Sequence, residues 1–370
     1  MAVDPLPPDM TEATTPLERE LAGLIEMEGP LPLDRFMALC LGHPRHGFYM
    51  TRDPLGAAGD FTTAPEITQM FGEIIAIWLM QCFDLMGRPA AVDLIELGPG
   101  RGTLIVDIMR AGRAMPDFLG SVRPRLVEMS PHLRALQAST LQAAGIEATW
   151  HGSLDEIPSG PTLLLANEFI DALPVRQFQK LQNGWAERVV VHRNGKLALG
   201  LVQAAPSLPP WTAAAAPGDI AEIRPAADRL GETLGRRFAL HPSAAIIIDY
   251  GHAASALGDT LQAVGGHQKV PILDRPGESD LTAHVDFQSL GDAIARGGAT
   301  VLPLMNQGAF LKEMGLELRA GILAAKATDA QKRELAAAME RVAGAREMGH
   351  LFKVLATTSP RLGHPHPFSD

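Results

Sequence analysis

Three glycines spaced two apart, Gly98, Gly100 and Gly102, stand between the apolar run Val92–Leu97 and the segment Thr103–Met109. A buried strand, a glycine turn and a helix start in that order can cradle a nucleotide. Glycine lets backbone approach a ligand where a Cβ would clash, and the free N–H groups of a helix N-terminus favour polar or anionic groups. The spacing is G-x-G-x-G. A dinucleotide fingerprint needs G-x-G-x-x-G, but Thr103 follows Gly102, and the G-K-[ST] of a P-loop is absent. Glu128 ends a second apolar stretch, Pro124–Val127, and Ser130-Pro131 then opens a helix reaching about Ala143. An acid at that strand tip is where a doubly wound fold meets ribose hydroxyls. Glu168 and Asp171 follow a further apolar run ending at Ala166. Two carboxylates three residues apart share a face if the segment turns helically, and can grip a cation there; acids complementing a helix dipole are the alternative.

Two other segments hold polar candidates. Asp249 ends the run Ala244–Ile248, where it shapes a site floor or caps a turn. Thr282, His284 and Asp286 alternate with Val285 and Phe287, which fits one half-buried strand presenting a polar wall to a substrate. His252, His267 and His284 lack compact ligand spacing, so no metal is expected.

The elements that must position these groups follow from periodicity. Residues 1–15, acidic and proline-rich at their start, read as a disordered arm. Residues 16–90 read as a helical N-terminal region, with Leu17, Leu21, Leu24 and Ile25, then Met70, Ile74, Ile77 and Trp78, at helical spacing. Residues 91–175 and 244–360 read as a nucleotide-binding core. Between them, residues 176–243 read as a β-rich insertion on the substrate side, with hairpin signals at Asn183-Gly184 and Asn194-Gly195 and an Ala/Pro-rich loop at 203–218. The expected fold class is α/β.

Composition narrows the function classes. The chain has 370 residues, 46% hydrophobic and 20% charged, as expected of an ordinary globular protein. Its net charge of −10 and lack of a basic block argue against a nucleic-acid partner. Cys40 and Cys82 are the only cysteines, so neither a disulfide framework nor a zinc cluster is implied. No apolar run reaches the length of a membrane span, and no secretory or transit pattern opens the chain. A cytoplasmic bacterial protein is the expectation.

The ordered motifs carry a resemblance. Gly59-Asp-Phe-Thr-Thr-Ala-Pro-Glu66, Glu96-Leu-Gly-Pro-Gly-Arg-Gly102, Val127-Glu-Met-Ser-Pro131 and Ala166-Asn-Glu-Phe-Ile-Asp-Ala-Leu-Pro174 resemble successive signatures of the MidA-type methyltransferases. Asp249-Tyr-Gly251, Thr282-Ala-His-Val-Asp-Phe287, Gln307-Gly308 and Met348-Gly-His-Leu-Phe-Lys-Val-Leu355 continue it, over roughly residues 17–357. Ile170 departs from it, standing where many relatives carry a second aromatic. The resemblance implies a class I methyltransferase fold, a Rossmann-like doubly wound sheet, with S-adenosyl-L-methionine (SAM) as cofactor. The family includes the mitochondrial assembly factor for respiratory complex I, which forms symmetric dimethylarginine. A protein-arginine N-methyltransferase acting on a complex I (NADH:quinone oxidoreductase) subunit is thereby implied. The candidate cofactor contacts are Glu96, Gly98, Gly100, Gly102, Glu128, Ser153, Leu154 and Asn167. Glu168 and Asp171 are the candidate catalytic pair, and Asp60, Asp249 and His284 the candidate substrate contacts. A small-molecule or RNA acceptor, or a non-catalytic SAM-binding assembly chaperone, stays open on sequence alone, as does the oligomeric state.

Overall fold

The computed structural model describes residues 14–53 and 62–368, so Asp60 lies outside the described residues, as does nearly all of the expected arm. Seven strands make the central sheet and are numbered in chain order. They are β1 (Val92–Leu97), β2 (Val122–Val127), β3 (Thr149–His151), β4 (Thr162–Asn167), β5 (Ser243–His252), β6 (Thr300–Val301) and β7 (Phe352–Thr358). Their order across the sheet is β6-β7-β5-β4-β1-β2-β3, with the two-residue strands Val285–Asp286 and Met305–Asn306 added beside β5 and β7. Neighbours are parallel from β5 through β3, and β7 runs antiparallel to both β5 and β6. Leu-Leu-Leu in β4 and Ile-Ile-Ile in β5 are buried on both faces, as central parallel strands require. Strand order reverses between β1 and β4, which opens a crevice beyond their carboxyl ends.

Helices cover both faces. Six helices matter for the site: α1 (Pro16–Glu28), α2 (Leu33–Gly42), α3 (Gln69–Leu85), α4 (Thr103–Ala111), α5 (Pro131–Ala144) and α6 (Pro225–Leu240). On one face α3 buries Phe71, Ile74, Trp78 and Phe83 against Val92, Leu94, Leu163 and Ile246. On the other, α6 and the helix Phe287–Gly297 place Leu234, Phe238, Leu290 and Ile294 against Ile95, Leu164 and Ile247. At roughly 1.5–3 kcal/mol for each fully buried large apolar side chain, these two layers supply most of the stabilisation of the sheet.

The N-terminal region and the insertion share a third core. Leu17, Leu21, Phe36, Met37 and Phe48 pack with Val175 and Val190. Leu31–Pro32 pairs with the insertion strand Gly184–Arg193, which also pairs with Arg176–Leu181 and Lys196–Ala204. The helix α6 falls inside the span read as insertion, yet it packs on the sheet. Thr15, read as part of the arm, caps α1 by accepting the Glu18 N–H, and its hydroxyl donates to the Pro276 carbonyl at 3.0 Å. The single strand expected over 282–287 is instead interrupted. Thr282 ends the strand Asp280–Thr282, Val285–Asp286 is a separate two-residue strand, and Asp286 caps the helix after it by accepting the Ser289 N–H at 2.9 Å. An aspartate that can cap a helix competes with strand continuation. Among the described residues no helix is long and apolar enough to cross a membrane.

Candidate active site

The glycine turn leaves β1 and enters α4 with φ of +63° at Gly98, +53° at Gly100 and +82° at Gly102. All three lie in the left-handed region that side-chain-bearing residues rarely adopt. Space is as restrictive as conformation. A Cβ on Gly98 would lie 2.7 Å from the Phe169 ring, and one on Gly102 2.8 Å from Leu141. Gln137, wholly buried in α5, braces the turn. Its Nε2 donates to the Gly100 carbonyl at 2.8 Å and to Glu128 Oε2 at 3.1 Å, while its Oε1 accepts from the Trp150 indole at 2.9 Å. Glu128 Oε1 accepts the Ser130 N–H at 2.8 Å. Burial raises the Glu128 pKa, and the bonds from the Ser130 N–H and Gln137 oppose that rise. Sequence reading missed Gln137; a glutamine amid the apolar stripe of a helix was its one signal.

The second half of the site is the turn after β4. Asp249 Oδ2 accepts the N–H groups of Phe169, Ile170 and Asp171 at 3.2, 2.9 and 3.1 Å, and its Oδ1 accepts the Tyr250 N–H at 2.9 Å. Asp249 is wholly buried, anchors the turn and is not part of the cavity wall. Burial and the neighbouring Asp171 push its pKa up, and the backbone N–H groups pull against that. Asp249→Asn leaves one oxygen for four donors. It is expected to cost about 2–4 kcal/mol of stability, since unpaired buried N–H groups are expensive. Thermal denaturation checks this, and an unchanged Tm would remove the anchor role.

Glu168 is held at φ +53°, which is rare for a residue with a side chain and is found where surrounding structure enforces it. Its Oε1 accepts from Asn167 Nδ2 at 3.1 Å and from the Ala64 N–H at 3.2 Å. Burial, with the Asp171 charge next in size, pushes its pKa up to about 8. Asp171 itself is buried behind the turn, where it pairs with the Tyr250 hydroxyl.

These halves enclose a cavity of about 630 Å³. Glu96, Gly98, Gly100, Glu128, Ser153, Leu154, Asn167 and Glu168 all line it, so most sequence candidates converge. Gly102 sits behind them against Leu141 and shapes the turn. Besides Gly102, three candidates do not reach the cavity wall: Asp171 and Asp249, which are buried, and His284. The His284 ring faces a separate cavity of about 210 Å³, shared with His252 and Glu222. The interruption of the 282–287 strand places it there, so the expected polar wall faces away from the main cavity. Sequence reading also passed over Tyr49 and Met129 as wall residues and Glu66 at its rim, where Glu66 accepts from the Thr103 hydroxyl. Among the described residues, buried Glu96 Oε2 and Asn167 Oδ1 have no hydrogen-bond partner. Burial alone lifts the Glu96 pKa to about 8. The cavity therefore presents uncompensated acceptors that a cation or a strong donor would satisfy.

Known proteins resemble this chain over most of its length. Residues 74–305 match the family described as "Putative S-adenosyl-L-methionine-dependent methyltransferase". The chain is 34% identical to the mouse mitochondrial protein arginine methyltransferase NDUFAF7, over 94% of this chain and 86% of that protein. The human protein of the same name is also 34% identical, over 92% and 83%. A Burkholderia thailandensis protein solved bound to S-adenosyl-homocysteine superposes with a TM-score of 0.82 at 28% identity, covering 92% of this chain and 91% of that one.

Proposed function

The chain belongs to the S-adenosyl-L-methionine-dependent methyltransferase family, and from that premise we propose that its acceptor is the guanidinium of an arginine in a protein. One observation carries the reading: Glu168, a carboxylate in the cavity wall on backbone held at φ +53°, has two further acids buried close behind it. They are Asp171 and Asp249. Arg224 lies beside Asp171 and Asp249 and donates to the carbonyls of Ala283 at 2.8 Å and Asp171 at 3.4 Å. A guanidinium entering at Glu168 brings positive charge and planar donors that a carboxylate can grip in two places. The names of the mouse and human relatives support the same acceptor.

The cavity fits SAM in the same terms. Glu96 Oε2 and Asn167 Oδ1, both without partners, would take the ammonium of its methionine part. Glu128 would accept from ribose hydroxyls, and Ser153, Leu154 and Met129 would border the base. When bound, SAM supplies a methyl group already activated by its sulfonium charge.

Glu168 then orients the guanidinium and draws its positive charge toward one nitrogen, leaving another free to attack. Positioning supplies most of the acceleration. The attacking nitrogen gains a carbon and must lose a proton, and the Glu168 carboxylate is the group in place to take it. A second round on the other terminal nitrogen would give symmetric dimethylarginine. A subunit of an NADH:quinone oxidoreductase is the candidate target.

The test is transfer of labelled methyl from SAM into a lysate of the source organism lacking this gene. A single labelled protein, with label recovered on arginine after hydrolysis, is expected. Label in small molecules or RNA, or none despite confirmed SAM binding, would overturn the arginine reading.

A further inference from the structure

Outside the cavity, three side chains of metal-ligating type converge. Glu20 projects from α1, and His43 and His46 lie in the turn that follows α2. Glu20 Oε2 is 3.2 Å from His43 Nε2, and Glu20 Oε1 is 3.2 Å from His46 Nε2. The two imidazoles stack in parallel, with centroids 5.3 Å apart and 2° between planes, so both Nε2 atoms address one carboxylate. One ligand atom from each residue lies within 4.8 Å of the others.

We propose that Glu20, His43 and His46 form a binding site for a zinc-class divalent cation. Two imidazoles and one carboxylate are a ligand set zinc uses with a fourth position left to water. At zinc–ligand distances of about 2.0–2.1 Å, tetrahedral ligand atoms stand roughly 3.3 Å apart. The 3.2 Å separations, one from each imidazole to its own oxygen of Glu20, are close to that length, and the three ligand atoms lie within 4.8 Å of one another, so a cation completes the set by drawing the imidazoles together. The backbone is also fixed. The N–H groups of His46 and Gly47 both donate to the His43 carbonyl, at 3.2 and 2.7 Å, and His43 N–H donates to the Leu39 carbonyl. The imidazoles are only 15% and 27% exposed, which limits competition from water.

Two contacts oppose the cation. The Arg45 guanidinium reaches Glu20 Oε1 at 3.1 Å, but its side chain is 73% exposed and free to turn into solvent. The Arg45 N–H lies 3.4 Å from His43 Nδ1, a long bond that is given up when metal on Nε2 places the ring proton on Nδ1. A cation here would clip α1 to the segment leading to Tyr49 and Met50, two residues of the cavity wall. The ligand group joins a helix to a loop by tertiary packing, so no compact spacing announces it.

Calorimetric titration of the untagged full chain with zinc chloride tests the site, with the visible spectrum of the cobalt(II) adduct reporting geometry. One cation per chain and a tetrahedral cobalt spectrum are expected. His43→Ala, His46→Ala and Glu20→Gln should each weaken binding at least about tenfold, with circular dichroism confirming that they fold. Arg45→Ala should tighten it, because the competing cation is gone. Absence of zinc binding, or binding that all three ligand variants retain, overturns the proposal. Either result leaves the methyl-transfer reading untouched, because no residue is shared.

Discussion

Glu168→Gln is expected to lower methyl transfer by about 10³-fold while SAM affinity stays within a few-fold of the wild type. The amide keeps the shape and can still accept from the Ala64 N–H, so the turn and cavity persist. It cannot neutralise a guanidinium or accept its proton. Loss of one positioned acid–base group costs typically 10²–10⁴-fold, and loss of charge complementarity adds to it. The pH dependence gives an independent check. With the Glu168 pKa at about 8, the ligand-free carboxyl is largely protonated at neutral pH. Transfer in the wild type should therefore rise with pH toward that value, and the rise should vanish in the variant. Stability has the opposite sign. A carboxyl whose folded pKa lies above its unfolded one holds its proton more tightly when folded. Its contribution is complete below about 4.5 and is lost as pH climbs to about 8. Each such group gives a slope of about 1.4 kcal/mol per pH unit across that window. Glu96, also raised to about 8, contributes a second share that survives the substitution. Wild-type turnover in Glu168→Gln would remove Glu168 from the chemistry.

The cradle was readable because each part is a local physical demand. A strand buried on both faces must be an unbroken apolar run, as in Leu94-Ile95, and a left-handed turn beside an aromatic ring must be glycine. The Ser130-Pro131 start of α5 is equally local, with the Ser130 hydroxyl accepting the Leu133 N–H at 3.2 Å. Asp249 shows where locality ends. Its position at the end of the apolar run Ala244–Ile248 of β5 was clear, but its direction depends on the register that sets Ile248 beside Asn167. That register puts its carboxylate under the neighbouring turn and not in the cavity. Asp171 is hidden for the same reason, since one step around the turn separates a wall residue from one behind it. The helix α6 follows insertion strands in sequence while its Leu234 and Phe238 pack on the core sheet, and composition does not report which sheet a helix covers. The cluster at Glu20, His43 and His46 depends entirely on how α1 packs beside the turn after α2.

Gly98→Val is expected to reduce SAM affinity by more than about 10²-fold, and this would be the strongest test of where the cofactor sits. Two costs combine. A β-branched residue at φ +63° adopts backbone geometry costing about 1–3 kcal/mol. Its Cβ alone would come within 2.7 Å of the Phe169 ring, before either methyl group is placed. That ring cannot retreat freely, because Asp249 holds the Phe169 N–H at 3.2 Å. The added carbons or the displaced ring must then occupy the cavity that Glu96 and Asn167 share. Gly145→Ala separates conformational cost from crowding. Gly145 ends α5 at φ +67°, and a Cβ there meets nothing within 4 Å. It should lose about 1 kcal/mol of stability and keep full SAM affinity. Calorimetry on both variants, with folding verified by thermal denaturation, decides the matter. A folded Gly98→Val protein binding SAM as the wild type does would move the cofactor away from this turn, and the assignments of Glu96 and Asn167 would move with it.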